Sequence, residues 1–144
     1  MPSGVEETTE LVRAALAERH GELRDEPDGS VSAAVGDRRI HAIVLPYGPG
    51  AVVQLHTPLV VDVPDSDALC EAVATVELTL GRLLLLPGAE DHLRTVLLAH
   101  RLLAEPPLVD DLPVALDATL ADADRLEPAF ESAFGATWTL EAGE

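Results

Sequence analysis

Apolar residues recur at helical spacing near the start of the chain. Steps of three and four positions place them on one side, and acidic residues fill the first turn, where carboxylates favour the positive end of the helix dipole. The pattern predicts an amphipathic helix over residues 5–20, which Gly21 ends. The residues that share this side are Val5, Thr8, Thr9, Leu11, Val12, Ala15 and Leu16.

The middle of the chain changes to strand-like patterning. Three β-prone runs follow the turn cluster at residues 25–29, and glycines and prolines separate them. Because the turns between them are short, the runs predict a three-stranded antiparallel meander. Pro58 cannot donate a ladder hydrogen bond, so we expect the third strand to lie at a sheet edge or to bend near Thr57. The predicted strands span residues 31–35, 38–45 and 51–61.

A second helix and a second hairpin follow. The residues just after Pro64 are types that cap a helix start, and the pattern beyond them predicts a helix that ends near residue 80, before Gly81. Residues 82–86 and 93–103 then predict two antiparallel strands joined by a turn that contains proline and glycine.

The last segment combines an apolar stripe with an acidic face. The stripe runs at steps of three and four over residues 112–134, which predicts a long amphipathic helix that Gly135 ends. Pro128 removes a backbone hydrogen bond, so we expect a kink or a short break there. The acidic residues on the other side predict a solvated face; they are Asp110, Asp117, Asp124, Glu127 and Glu131.

The predicted elements define an α+β fold with the order α-β-β-β-α-β-β-α. The chain has 144 residues, of which 47% are hydrophobic, enough for one domain with its own core over residues 1–144. Residues 136–144, around Trp138, form a tail for which the sequence leaves three options: a flexible end, a segment that folds back on the domain, or a contact with a partner.

Charge excludes several classes of partner. Nine arginines stand against 26 acidic residues, and the formal net charge is −17. Nucleic acids and anionic membranes are bound through basic patches, so this balance argues against both. The chain has no apolar run long enough to cross a bilayer, and its single cysteine cannot form an intrachain disulfide. We therefore expect a cytoplasmic protein.

No motif in the sequence presets a catalytic, metal or cofactor site. The histidines lack the spacings of metal sites, although His41 and His56 are placed to meet across the hairpin that joins their strands. Cys70 falls on the apolar stripe of the second predicted helix, which favours a buried thiol over a nucleophile. The sequence predicts no catalytic residue, no metal and no cofactor.

Both alternating faces of the middle strands carry apolar residues. A sheet that helices cover on one side only should show one polar face, so we expect the second face to be covered as well. The cover is either the third helix or the tail of the same chain, or a partner: a second copy or an extended peptide, which can add as a strand to an open edge. The residues predicted to face a partner are Ile40, Ala42, Val44, Val52, Gln54 and His56. The residues predicted for a dimer contact are Cys70, Val73 and Val76.

Two segments and the order of elements resemble the YbjN and type III secretion chaperone-like superfamily, particularly its actinobacterial branch of TY-Chap-type peptide-binding domains. The segments are GRLLLLPGAEDHLRTVLLAHRLLAE and LPVALDATLADADRLEPAFESAFGA. The resemblance implies a twisted antiparallel sheet of about five strands packed by three helices. It also implies frequent homodimerisation and non-catalytic binding of a client protein or peptide. The acidic charge favours a basic client segment.

Two other classes of function remain open at this point. In an antitoxin-like or immunity-like inhibitor, the charge of −17 would itself block a basic toxin. In an enzyme, the site would be assembled only in three dimensions, around His41 and His56.

Overall fold

Six strands form one antiparallel sheet, and three helices pack against it. The structure is a computed structural model, and it describes residues 4–78, 81–104 and 108–134. The elements in chain order are α1 (Val5–His20), β1 (Leu23–Asp25), β2 (Val31–Val35), β3 (Arg38–Tyr47), β4 (Gly50–Pro64), α2 (Asp67–Thr75), β5 (Arg82–Pro87), β6 (Leu93–Leu103) and α3 (Leu108–Phe134). The strand order across the sheet is β1-β2-β3-β4-β6-β5.

The α+β class and the order of the predicted elements are confirmed, with one strand added. β1 pairs with β2 next to the predicted turn cluster, and three residues are too few to show a strand period. α2 also ends earlier than predicted. Val76 adopts an extended backbone conformation directly after Thr75, and both residues are β-branched, which weakens helix propensity.

All three helices cover the same face of the sheet. α1 and the first half of α3 pack on β2, β3 and β4, with Val12 and Leu116 in that core cluster. α2 and the second half of α3 pack on β4, β5 and β6, with Leu69 and Phe130 in a second cluster. The third helix was one of the predicted covers of the second face, and the structure shows that it does not cover that face. The other, the tail at 136–144, lies outside the described residues.

β4 is a central strand that bends at Pro58. Its ladder to β3 ends at the pair His41 and His56, and its pairing with β6 shifts register between Pro58 and Val60. At this bulge the consecutive residues Leu59 and Val60 are both buried, whereas a regular strand would bury only one of them. The predicted bend is confirmed, and the alternative position at a sheet edge is not observed.

The acidic side of α3 is partly engaged in ion pairs, contrary to the expectation of a wholly solvated face. Arg38 is only 6% exposed and lies 2.9 Å from Glu127 and 3.4 Å from Asp124. Burial raises the pKa of Glu127, while Arg38 acts in the opposite direction. Asp117 pairs with Arg19 of α1. The helix continues through Pro128, so the predicted short break is absent.

Ser66 caps α2, and its removal tests this assignment. The Ser66 side chain accepts a hydrogen bond from the Leu69 amide at 3.1 Å. Replacing Ser66 with alanine leaves that amide without its partner, and we expect a loss of about 1 kcal/mol in the free energy of unfolding, measured by urea denaturation. Ser66→Asp is the matched control, because aspartate caps helices equally well and should keep wild-type stability. Equal losses in the two variants would contradict the cap.

Candidate functional site

The sheet has one face that the described helices leave uncovered. Alternation along each strand turns every second residue away from the helices, and the register aligns these residues across the sheet. We call this set the open face. Its apolar members include Ile43, Leu45, Val52, Leu84, Leu86, Leu97, Ala99 and Leu103. Its polar members include Arg24, Ser32, Arg39, His41, Gln54, His56, Arg82 and Arg101.

Two stacked histidines occupy the middle of the open face. His41 and His56 are direct cross-strand partners, with ring centroids 5.1 Å apart and ring planes within 2° of parallel. Burial, together with the neighbouring His41, lowers the pKa of His56 to about 4, and Asp28 opposes this shift. Burial also lowers the pKa of His41, against the carboxylates of Glu26 and Asp28. The ring of His56 is therefore uncharged at neutral pH.

A short polar chain connects the histidines to the β6 side of the face. Arg101 donates from Nε to the Gln54 side-chain oxygen at 2.8 Å. The Gln54 amide nitrogen lies 3.5 Å from Nδ1 of His56.

A cavity of about 370 Å³ lies at the β1 end of the open face. Arg24 and Arg39 line it, and both have partners: Arg24 pairs with Glu26 at 2.9 Å, and Arg39 donates to the Ser32 hydroxyl at 2.9 Å. The Ser32 hydroxyl in turn donates to Glu26. Glu26 therefore offsets the charge of Arg24, whereas Arg39 contacts a neutral hydroxyl.

The six residues predicted to face a partner do not share one face. Ile40 and Ala42 are 0% and 2% exposed and lie in the core beneath the helices, and Val44 packs against the same core. Val52, Gln54 and His56 lie on the open face. The partner-binding role of all six stays a prediction.

Hairpin geometry explains the split. β3 and β4 are joined by the two residues Gly48 and Pro49, so that Tyr47 pairs with Gly50. Even-numbered residues of β3 consequently pair with odd-numbered residues of β4, as Ala42 does with Leu55. The sequence analysis grouped even with even, and a slip of one residue exchanges the two faces of a strand.

The residues predicted for a dimer contact lie on or just after α2. Cys70 is exposed, so its expected burial is wrong; the stripe that faces the core passes through Leu69 instead. Val73 and Val76 are partly buried against the second core cluster of the same chain. Homodimerisation through these residues stays a prediction.

The sequence analysis did not assign the β5 and β6 part of the open face to the site. Arg82 pairs with Ala99 in the register, and Ala99 pairs with His56, which pairs with His41. These four residues therefore lie in one row across the sheet. The signal was the alternation of residues 97, 99, 101 and 103 in a strand already predicted. It becomes informative only once the order of strands in the sheet is known, because β6 and β4 are distant in the sequence.

The described residues contain no group of three or more His, Cys, Asp and Glu side chains placed to hold a metal ion. None of the helices in the described part of the chain is long and apolar enough to cross a membrane.

Comparison with known proteins identifies the family of this fold. Residues 6–142 match the family model TY-Chap1, described as a T3SS (YopN, CesT) and YbjN peptide-binding chaperone 1. A search of curated proteins finds no match. The family match covers nearly the whole chain and indicates a peptide-binding chaperone domain. It gives no support to the immunity-like inhibitor or to the enzyme.

Proposed function

The chain belongs to the TY-Chap1 family of peptide-binding chaperones, and from that premise we propose that it binds an extended segment of a client protein on the open face. The observation that carries this proposal is a sheet face that three helices leave free because all of them pack on the opposite side. Large apolar side chains stay exposed on it, among them Leu86 and Leu103, and exposed apolar side chains grouped on one face favour an interaction site.

The size of the open face suits an extended peptide. Five spacings between six strands span about 24 Å at about 4.8 Å each. An extended chain advances about 3.4 Å per residue, so about seven residues cross the sheet, and up to 11 residues lie along β6 when the peptide runs parallel to that strand. Alternate side chains of such a segment would point toward the face, and burial of apolar area would supply the affinity.

The chemistry of the open face suits binding without a chemical step. The stacked imidazoles contact each other, and the Arg101 side chain is held by Gln54. We propose that the protein acts as a chaperone by shielding a client segment rather than by changing it. A cytoplasmic location is part of this proposal, because the one cysteine is an exposed free thiol, which suits a reducing compartment.

Leu103 provides the test of the open face. We would select peptides that bind the full chain from a random twelve-residue display library and measure their affinities by fluorescence anisotropy. Leu103 is 52% exposed on the open face, and Val114 is 63% exposed on α3. We expect Leu103→Glu to weaken binding about tenfold or more, because it removes apolar contact and places a charge in the interface. Val114→Glu, the matched control, should leave affinity unchanged.

Other outcomes would contradict the proposal in distinct ways. A loss only in Val114→Glu would place the peptide on the helical side, where Leu11, Leu112 and Pro113 line a cavity of about 190 Å³. Failure to select any peptide that binds the folded chain would argue against peptide binding altogether. Circular dichroism of both variants confirms that each remains folded.

A further inference from the structure

The charge of the open face is opposite to the charge of the chain. The formal net charge is −17, yet the strand residues paired across this face include four arginines and no aspartate or glutamate. The nearby carboxylates lie at the margins: Glu26 and Asp28 in the turn after β1, and Asp62 at the bulge of β4, where it accepts from the Ala89 amide. The charged side chains that the register places on the β5 and β6 part of the face are therefore the two arginines Arg82 and Arg101.

Three of the four arginines have no carboxylate partner in the described part of the chain. Arg24 pairs with Glu26, whereas the half-buried Arg39 donates to the Ser32 hydroxyl. Arg82 is exposed, and Arg101 donates to the neutral amide of Gln54, so these two are the arginines available on the β5 and β6 side. The register pairs Arg82 with Ala99, two residues before Arg101 on the same strand. Such diagonal neighbours lie about 7–8 Å apart, close enough for two guanidinium groups to contact one carboxylate or two adjacent ones.

Apolar residues flank the two arginines on the same face. Leu84 and Leu97 lie on one side, and Leu103 lies on the other. A peptide that fits this arrangement therefore carries apolar side chains on both sides of an acidic one, all on its sheet-facing side.

We infer that the client segment is an extended, apolar peptide with a glutamate or aspartate that pairs with Arg82 and Arg101. This inference rests on the proposed function and deepens it, and it departs from the basic client that the total charge favours. At physiological salt, charges more than about 8 Å away are largely screened, so the arginines at the contact outweigh the distant acidic residues. A long polyanion lacks this advantage, because it extends beyond the two arginines into the acidic surroundings.

Three matched peptides test the inference on the full chain. Each has nine residues, valine or leucine alternating with threonine, and only the central residue differs: glutamate, glutamine or lysine. We expect the glutamate peptide to bind about tenfold tighter than the glutamine peptide at 50 mM salt, with most of the advantage lost at 500 mM salt, and the lysine peptide to bind weakest. Fluorescence anisotropy gives the affinities.

Single arginine variants locate the effect. Arg82→Gln and Arg101→Gln should each reduce the advantage of the glutamate peptide and leave the affinity of the glutamine peptide unchanged. Arg13→Gln is the matched control, because Arg13 is an exposed arginine of α1 that pairs with Asp25 away from the open face. It makes the same change in net charge and should keep the full advantage.

The alternatives are separable. Equal binding of the glutamate and glutamine peptides would overturn the inference while leaving peptide binding intact, and tighter binding of the lysine peptide would favour a basic client. No binding by any of the three would count against the proposed function itself. Tighter binding of a twelve-nucleotide oligothymidylate, in competition with the glutamate peptide, would assign the arginine pair to phosphate and overturn the inference.

Discussion

Replacing Gly81 with alanine is expected to cost about 2–6 kcal/mol in the free energy of unfolding. The residue has φ +75°, which is strained for any residue with a side chain, and its Cβ would lie 2.3 Å from the Ala99 carbonyl oxygen. The neighbouring atoms are backbone of β6 and the Cβ of His100, so none can move aside cheaply. The expected cost sums about 1–3 kcal/mol for the backbone conformation and a similar amount for the overlap.

Gly36→Ala is the matched control for this result. Gly36 has φ +62° but no atom within 4 Å of the position its Cβ would take. It therefore reports the backbone cost alone, about 1–2 kcal/mol. Guanidinium denaturation of the two variants and the wild type gives the comparison. If both variants lose the same amount, the close contact between Gly81 and β6 does not exist in solution.

The second large effect is a loss of stability as the pH falls from about 6.5 to about 4. A histidine whose pKa is lowered on folding binds fewer protons in the folded state than in the unfolded state across this window. The free energy of unfolding should therefore rise with pH between about 4, the pKa of His56 in the folded protein, and 6.5, the ordinary pKa of a histidine. At 1.36 kcal/mol per pKa unit the upper limit is about 3.4 kcal/mol, and partial solvation of the ring reduces it to about 1–3 kcal/mol.

His56→Gln should remove much of this pH dependence. The groups around the ring are His41, Asp28 and Gln54, and the hydrogen bonds that Glu26 and Asp28 accept also lower the pKa of these carboxyl groups. Those carboxylates lose their stabilising contribution as pH falls through their own lowered pKa, which acts in the same direction at lower pH. Urea denaturation from pH 4 to pH 7.5 gives the free energy of unfolding of the wild type and of His56→Gln. The difference between the two curves isolates the contribution of His56.

His92→Gln provides the control for the pH series, because His92 is exposed in the turn before β6. The free energy of unfolding of the His92→Gln variant should follow the wild-type curve across this pH range. Two results would contradict the proposed contribution of His56 to the pH dependence of stability. One is a wild-type stability curve that is flat between pH 4.5 and pH 6.5, and the other is a curve that His56→Gln leaves unchanged.

The sequence predicted elements better than it predicted faces. Local turn residues determine where helices and strands end. Gly21 ends α1 and Gly36 lies in the turn between β2 and β3, and both have positive φ values. The face that a residue occupies depends on whether the hairpin turn has an odd or an even number of residues. The predicted turn at residues 46–50 has five residues and the observed turn has two, and this difference exchanged the sides of Val52 and Val53. The exposure of Cys70 was missed because one residue of displacement around a nine-residue helix moves a side chain from core to solvent.

The candidate site was predictable only in its β3 and β4 part. His41 and His56 were expected to meet because one hairpin joins their strands, and the structure confirms this contact. Arg82 and Arg101 belong to strands that reach the histidines only through the pairing of β4 with β6. No local pattern encodes that pairing. Net charge averages over the whole chain, so it did not predict the four arginines that the open face carries.

The pairing of β4 with β6 has a consequence for the order in which the sheet forms. β2, β3 and β4 are connected by two-residue turns, whereas Val52 must find Leu103, which lies 51 positions further along the chain. Closing the longer loop costs more chain entropy, so the two halves of the sheet should join late in folding. The open face is complete only after that step, because its histidines come from one half and Arg82 and Arg101 come from the other. A client that spans both halves therefore binds only the joined sheet, and by mass action it would slow their separation.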